Sequence, residues 1–115
     1  NGVFSTNLAT NIRQPETESA QIPERFQLAQ NFPNPFNPST TIPFEIVEGT
    51  NVELTIFDLR GRRVRTLANG YFTSGSFKRI WNGRDEASKP VASGVYIARL
   101  ETAQSTQSIR MILTK

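Results

Sequence analysis

Asp85 and Glu86 stand side by side in the polar stretch Asn82-Gly83-Arg84-Asp85-Glu86-Ala87-Ser88-Lys89-Pro90. Paired carboxylates are the first residues to test for general acid–base chemistry. Neighbours in an extended segment point to opposite sides, so these two do not converge on one bond. With Asn82 they offer the oxygen ligands that Ca²⁺ prefers. The regular ligand spacing of a calcium loop is missing, however, and Arg84 and Lys89 compete for the carboxylates. Ser and Thr are frequent, but the chain has no His to activate them and no Cys to act as a thiolate. No catalytic residues, no metal site and no cofactor are therefore assigned.

Binding chemistry has more candidates. Arg60, Arg62, Arg63 and Arg65 cluster around one turn. A nucleic-acid surface needs such charge interleaved with exposed aromatics for stacking, and those are absent here. The net charge of +3 is too small to imply nucleic acid by itself. Trp81 and Tyr96 have the chemistry of a sugar-stacking platform, although a Trp on a sandwich strand is expected in the core. The segment Phe32-Pro33-Asn34-Pro35-Phe36-Asn37-Pro38 has the look of an extended Pro-rich ligand. Its plainer reading is that Phe32 and Phe36 plug one end of a sandwich while the prolines stiffen the entry. Asn37-Pro38-Ser39 is not a glycosylation acceptor, because Pro holds the middle position.

These residues must be held by short strands. Ile42, Phe44 and Ile46 alternate on one face, and Pro43 between them predicts an edge strand. Val52, Leu54 and Ile56 alternate next. Asp58-Leu59-Arg60-Gly61 predicts a hairpin turn, with the Asp58 carboxylate capping backbone N–H groups and Gly61 supplying positive φ. Arg63 to Leu67 pairs back, and Asn69-Gly70 reads as a further turn. Gly75 to Trp81 and Gly94 to Leu100 follow, the latter with Tyr96, Ala98 and Leu100 on one side. A last strand starts near Ser108, alternating Ile109, Met111 and Leu113 against Arg110, Ile112 and Thr114 up to Lys115. No amphipathic helix appears. Short strands with turn signals every 8–12 residues predict an all-β sandwich. Residues 1–27 read as a linker or the end of a preceding domain. At 115 residues there is room for one such domain and a tail. No stretch approaches the ~18 apolar residues of a membrane span, so membrane insertion is not expected. No charged-then-apolar leader stands at Asn1, and the chain is read as part of a longer protein.

Five blocks carry a resemblance. They are Phe32 through Ile42, Ile56 through Val64, Trp81-Asn82-Gly83-Arg84-Asp85, Val91 through Tyr96, and Met111-Ile112-Leu113-Thr114-Lys115. In this order the chain resembles the type A C-terminal sorting domains of the type IX secretion system over residues 28–115. A similar pattern marks the immunoglobulin-like domain of flagellar hook-capping proteins. Asn82 stands where the family usually has Asp, and Arg79 where an apolar residue is more usual. The resemblance implies an immunoglobulin-like antiparallel β-sandwich of about seven strands, and a domain that directs an upstream cargo across the outer membrane, from the periplasm to the cell surface or the medium. It implies the type IX translocon and the surface-attachment or sortase machinery as partners. Recognition is then expected in Arg110, Met111, Ile112, Leu113, Thr114 and Lys115, on a strand left free at its end. The framework residues are Phe32, Pro33, Asn34, Pro35, Phe36, Asp58, Gly61, Trp81, Gly94 and Tyr96. The alternative is a non-catalytic accessory sandwich, either carbohydrate-binding or a structural spacer. An exposed edge strand leaves weak homodimerisation open.

Overall fold

The computed structural model describes residues 26–115. The expected tail, as far as residue 25, lies outside the described residues. Seven strands follow one another: β1 (Phe26–Leu28), β2 (Thr40–Ile46), β3 (Thr50–Asp58), β4 (Arg63–Phe72), β5 (Gly75–Trp81), β6 (Gly94–Glu101) and β7 (Thr106–Leu113). They form two sheets ordered β1-β2-β5 and β4-β3-β6-β7, with antiparallel neighbours throughout. The chain changes sheet after β2, after β4 and after β5, which makes the sandwich the sequence predicts.

The alternation of apolar residues is what pairs the sheets. Ile42, Phe44 and Ile46 of one sheet are buried against Leu54, Ile56, Ala98, Leu100 and Met111 in a single core. Each large aliphatic or aromatic side chain buried in this way contributes about 1.5–3 kcal/mol. Two aromatic clusters mark its length. Phe44, Phe72 and Phe77 meet with centroids 4.9–5.7 Å apart. Towards the start of β2, Trp81 lies 5.7 Å from Phe36 and 5.2 Å from Tyr96.

The turn after β3 forms as the sequence predicts. Asp58 Oδ1 accepts from the N–H groups of Arg60 and Arg62, each at 2.9 Å, and Gly61 has φ +84°. The N–H of Arg62 is the main cause that holds the Asp58 carboxyl below its usual range, against partial desolvation. The first strand of the described residues begins at Phe26, which is fully buried. Three expectations change. Pro43 is not on an edge, since β2 lies between β1 and β5. Pro43 O accepts from Ala29 N at 3.0 Å, so its missing donor faces the stretch just past the end of β1, and no bond to β5 is lost. Asn69-Gly70 is not a turn either: β4 runs through both, and Gly70 adopts φ +147° within the strand. The last strand starts at Thr106 rather than near Ser108.

Candidate functional site

The Pro-rich lead-in is anchored by polar groups. Asn31 and Thr40, which bracket it, are both buried. Asn31 Nδ2 donates to Thr40 Oγ1 at 2.9 Å, and Thr40 Oγ1 donates to Pro33 O at 2.8 Å. Buried polar atoms hold a backbone only when they are paired, and these are. The frame turns Phe36 inward, 1% exposed, against Trp81. Phe32 points the other way and is 58% exposed, which corrects the expectation that both rings plug the sandwich. The ring is kept outside because Phe32 N and O are both bonded to Thr41, at 3.0 and 2.8 Å, as an outer rung of the β2 ladder.

So oriented, the lead-in runs along β7. Gln30 Nε2 donates to Arg110 O at 2.8 Å, and Ile112 N donates to Asn34 Oδ1 at 2.9 Å. Phe36 N donates to Ile112 O and Thr114 N donates to Phe36 O, both at 2.9 Å. Phe36 and Leu113 thereby form a parallel bridge. The end of β7, expected to be left free, is instead closed along its outer edge by residues that lie 76–80 positions earlier. The side chains of β7 alternate accordingly. Met111 and Leu113 are buried in the core, whereas Arg110, Ile112, Thr114 and Lys115 are exposed.

The loop after β5 completes this end. Trp81 is fully buried and donates Nε1–H to Arg84 O at 2.9 Å, while Asn82 Oδ1 accepts from Arg84 N at 3.2 Å. Asn82 thus fills the turn-capping role open to the Asp more usual there. Gly83 has φ +74°, and a Cβ there would lie 3.1 Å from Pro38 O and 3.6 Å from Leu113 Cδ2. Glycine lets the loop backbone come this close to the Pro38 carbonyl and the Leu113 side chain. A shallow groove of about 260 Å³ opens between them, lined by Asn37, Pro38, Asn82, Gly83, Arg84, Pro90, Leu113 and Lys115. Tyr96, 7% exposed, donates its hydroxyl to Ala92 O at 2.6 Å, and burial pushes its phenol above the usual range, with the Asp58 charge adding to the effect.

The other candidates are used up locally. Asp85 Oδ1 accepts from the N–H groups of Ala87 and Lys89, and Glu86 Oε2 accepts from Thr66 N at 2.8 Å. Arg62 pairs with Asp58 at 3.1 Å, Arg63 with Glu53 at 3.5 Å, and Arg65 donates to Asp85 O at 2.8 Å. Trp81 and Tyr96 are too buried to form a sugar platform. Arg79 sits on the inner register of β5, but its guanidinium rises 5.3 Å above the Phe72 ring towards solvent.

Residues 30–114 match the model of the secretion system C-terminal sorting domain. The chain belongs to this family. Type IX secretion is the family's route, and the sorting domain is a signal for export across the outer membrane to the cell surface or the extracellular space. Among solved structures, 18% of residues are identical to dimeric latent PorU of Porphyromonas gingivalis, with a TM-score of 0.64 over 90% of this chain and 10% of that one. PorZ of the same organism, an essential surface component of the type IX secretion system, shares 24% identity, with a TM-score of 0.53 over 75% of this chain and 11% of that one. The chain thus spans about a tenth of either protein. The fold also occurs in AlkC, an alkylpurine DNA glycosylase of Pseudomonas fluorescens, at 11% identity and TM-score 0.50 over 79% of this chain and 31% of that one. No curated protein sequence matches the sorting domain. Asn31, Thr40, Gln30 and Gln107 are the residues that sequence reasoning missed. Asn31 and Thr40 do bracket the Pro-rich run, which was the available signal.

Proposed function

We propose that the sorting domain works by binding alone, and that the type IX machinery reads a composite surface at this end of the sandwich. Three blocks far apart in the chain support the reading: the lead-in, the Trp81–Asp85 loop and the end of β7 converge on one groove. Within Arg110 to Lys115 the roles divide. Met111 and Leu113 anchor the segment in the core; Arg110, Ile112, Thr114 and Lys115 form the face that is read. The cargo lies upstream, and the surface-attachment or sortase machinery acts once the signal has been bound. A closed β7 edge favours recognition of side chains over strand addition at this strand.

The test fuses residues 1–115 behind a signal peptide and a fluorescent reporter in a bacterium with type IX machinery. Removing Met111 to Lys115 takes two core residues with it and confuses misfolding with loss of the signal. The informative variant is therefore Ile112→Asp with Lys115→Glu, which alters two outward side chains and leaves Met111 and Leu113 in the core. Reporter held in the periplasm, with thermal unfolding unchanged, is the expected result. Secretion at the wild-type level would refute the assignment of this face.

A further inference from the structure

A two-sheet sandwich has four sheet edges, and edges with unpaired N–H and C=O groups invite a further strand. Three are covered here, at least over part of their length, by named devices. The outward groups of β1, Leu28 N and Phe26 O, bond the Gln107 side-chain amide at 2.8 and 3.0 Å. The end of β7 is closed by Gln30, Asn34 and Phe36. The start of β4 is closed by Glu86, which bonds Val64 O through its N–H and Thr66 N through its carboxylate.

β5 has no such cover. Thr41 and Pro43 turn their backbone groups towards the β1 side, so β2 pairs with β5 through the alternate rungs 40–81, 42–79, 44–77 and 46–75. Ser76, Lys78 and Ile80 therefore direct their N–H and C=O outward. Among the described residues the one group bonded there is Lys78 O, which accepts from Arg79 Nη1 at 2.9 Å. A carbonyl has two acceptor sites, so this contact leaves the rung open. It also lays a guanidinium along the edge.

The side chains beside this edge are not those of a merely protected strand. Ile80 is 65% exposed, and the register Phe32–Thr41–Ile80 makes it the end of an outer-face row whose other apolar member is the exposed Phe32. Lys78 is the next outer-face residue along β5, and Arg79 lies between them on the inner register. A second copy pairing edge to edge would bring Lys78 and Arg79 close to their own counterparts, which like charge opposes. We propose that β5 is a strand-addition site for an extended acidic peptide segment of a partner protein. Its backbone would bond Ser76, Lys78 and Ile80. It would set an apolar residue beside Ile80 and carboxylates beside Lys78 and Arg79. This surface is separate from the groove at the end of β7.

The test uses the 115-residue chain and a fluorescein-labelled peptide, Val-Glu-Glu-Val-Thr flanked by threonines. Anisotropy measures binding, and amide hydrogen exchange maps it. Binding is expected to protect the amides of Lys78 and Ile80. It is expected to weaken about tenfold or more when Lys78→Glu and Arg79→Glu are combined, or when the peptide carries Lys for Glu. Ile80→Pro removes one outward donor without touching a β2 bond, and is expected to abolish binding while thermal unfolding stays near wild type. No binding, binding without protection of these amides, or a chain that self-associates through β5 instead would each overturn the proposal. None of these results bears on secretion of the Ile112 and Lys115 variants, so the two readings fail separately.

Discussion

Gly83→Ala tests whether the loop after β5 is pressed against the Pro-rich lead-in at Pro38. Two costs are expected. The first is the left-handed backbone at φ +74°, about 1–2 kcal/mol for a residue with a Cβ. The second is steric: the new methyl meets Pro38 O at 3.1 Å, a backbone atom that cannot swing away. Overpacking of this kind costs about 1–3 kcal/mol. Gly61→Ala provides the control, because Gly61 has φ +84° but a methyl added there would meet nothing within 4 Å. Both substitutions reduce the entropy of the unfolded chain alike, and that contribution cancels in the comparison. The difference between them should be about 1–3 kcal/mol, which in a domain of this size is roughly 4 °C or more in Tm. Thermal unfolding of the 115-residue chain, followed by circular dichroism, measures it. Equal melting temperatures would show that the contact between Gly83 and Pro38 carries nothing, and the composite end would lose its structural basis.

Phe36→Ala removes a buried ring beside Trp81 and should destabilise by about 3–5 kcal/mol in denaturant titrations, whereas Phe32→Ala should stay within about 0.5 kcal/mol. Asp58 has a folded pKa below its unfolded one. The stability it supplies is therefore present above the ordinary Asp value and is lost as pH falls through the lowered one. The Tm of the wild-type chain should fall more steeply below about pH 4 than that of Asp58→Asn, in melts recorded across that range. Gln107→Leu leaves Leu28 N and Phe26 O unpaired. A loss of about 1–3 kcal/mol is expected, with hydrogen exchange at Leu28 accelerated first.

The inner faces of the strands were legible from the sequence because one physical rule, alternation, writes them. Ile42, Phe44 and Ile46, then Tyr96, Ala98 and Leu100, are buried where period two puts them. The Asp58–Gly61 turn was legible because its chemistry is local. What the sequence concealed is longer in range. Gln30, Asn34 and Gln107 close strand edges through side-chain bonds that leave no periodic trace. Pro43 misled because the rule against prolines in central strands depends on what lies opposite, and here β1 has already ended. Gly70 misled because a positive φ also serves a twisted strand. Phe32 and Phe36 look alike in a string; only the pairing of Phe32 with Thr41 sends one ring outward.

The bonds between the lead-in and β7 join residues as much as 80 positions apart. Contacts of such separation close late in folding. During synthesis Asn34 and Phe36 emerge long before Ile112 and Thr114, and until those arrive the sandwich has one side missing. A message cut short before Met111 yields a chain that never shuts. On the reading proposed above, a chain that lacks these last residues forms neither the bonds to Phe36 nor the groove beside Pro38, and so has no address to present.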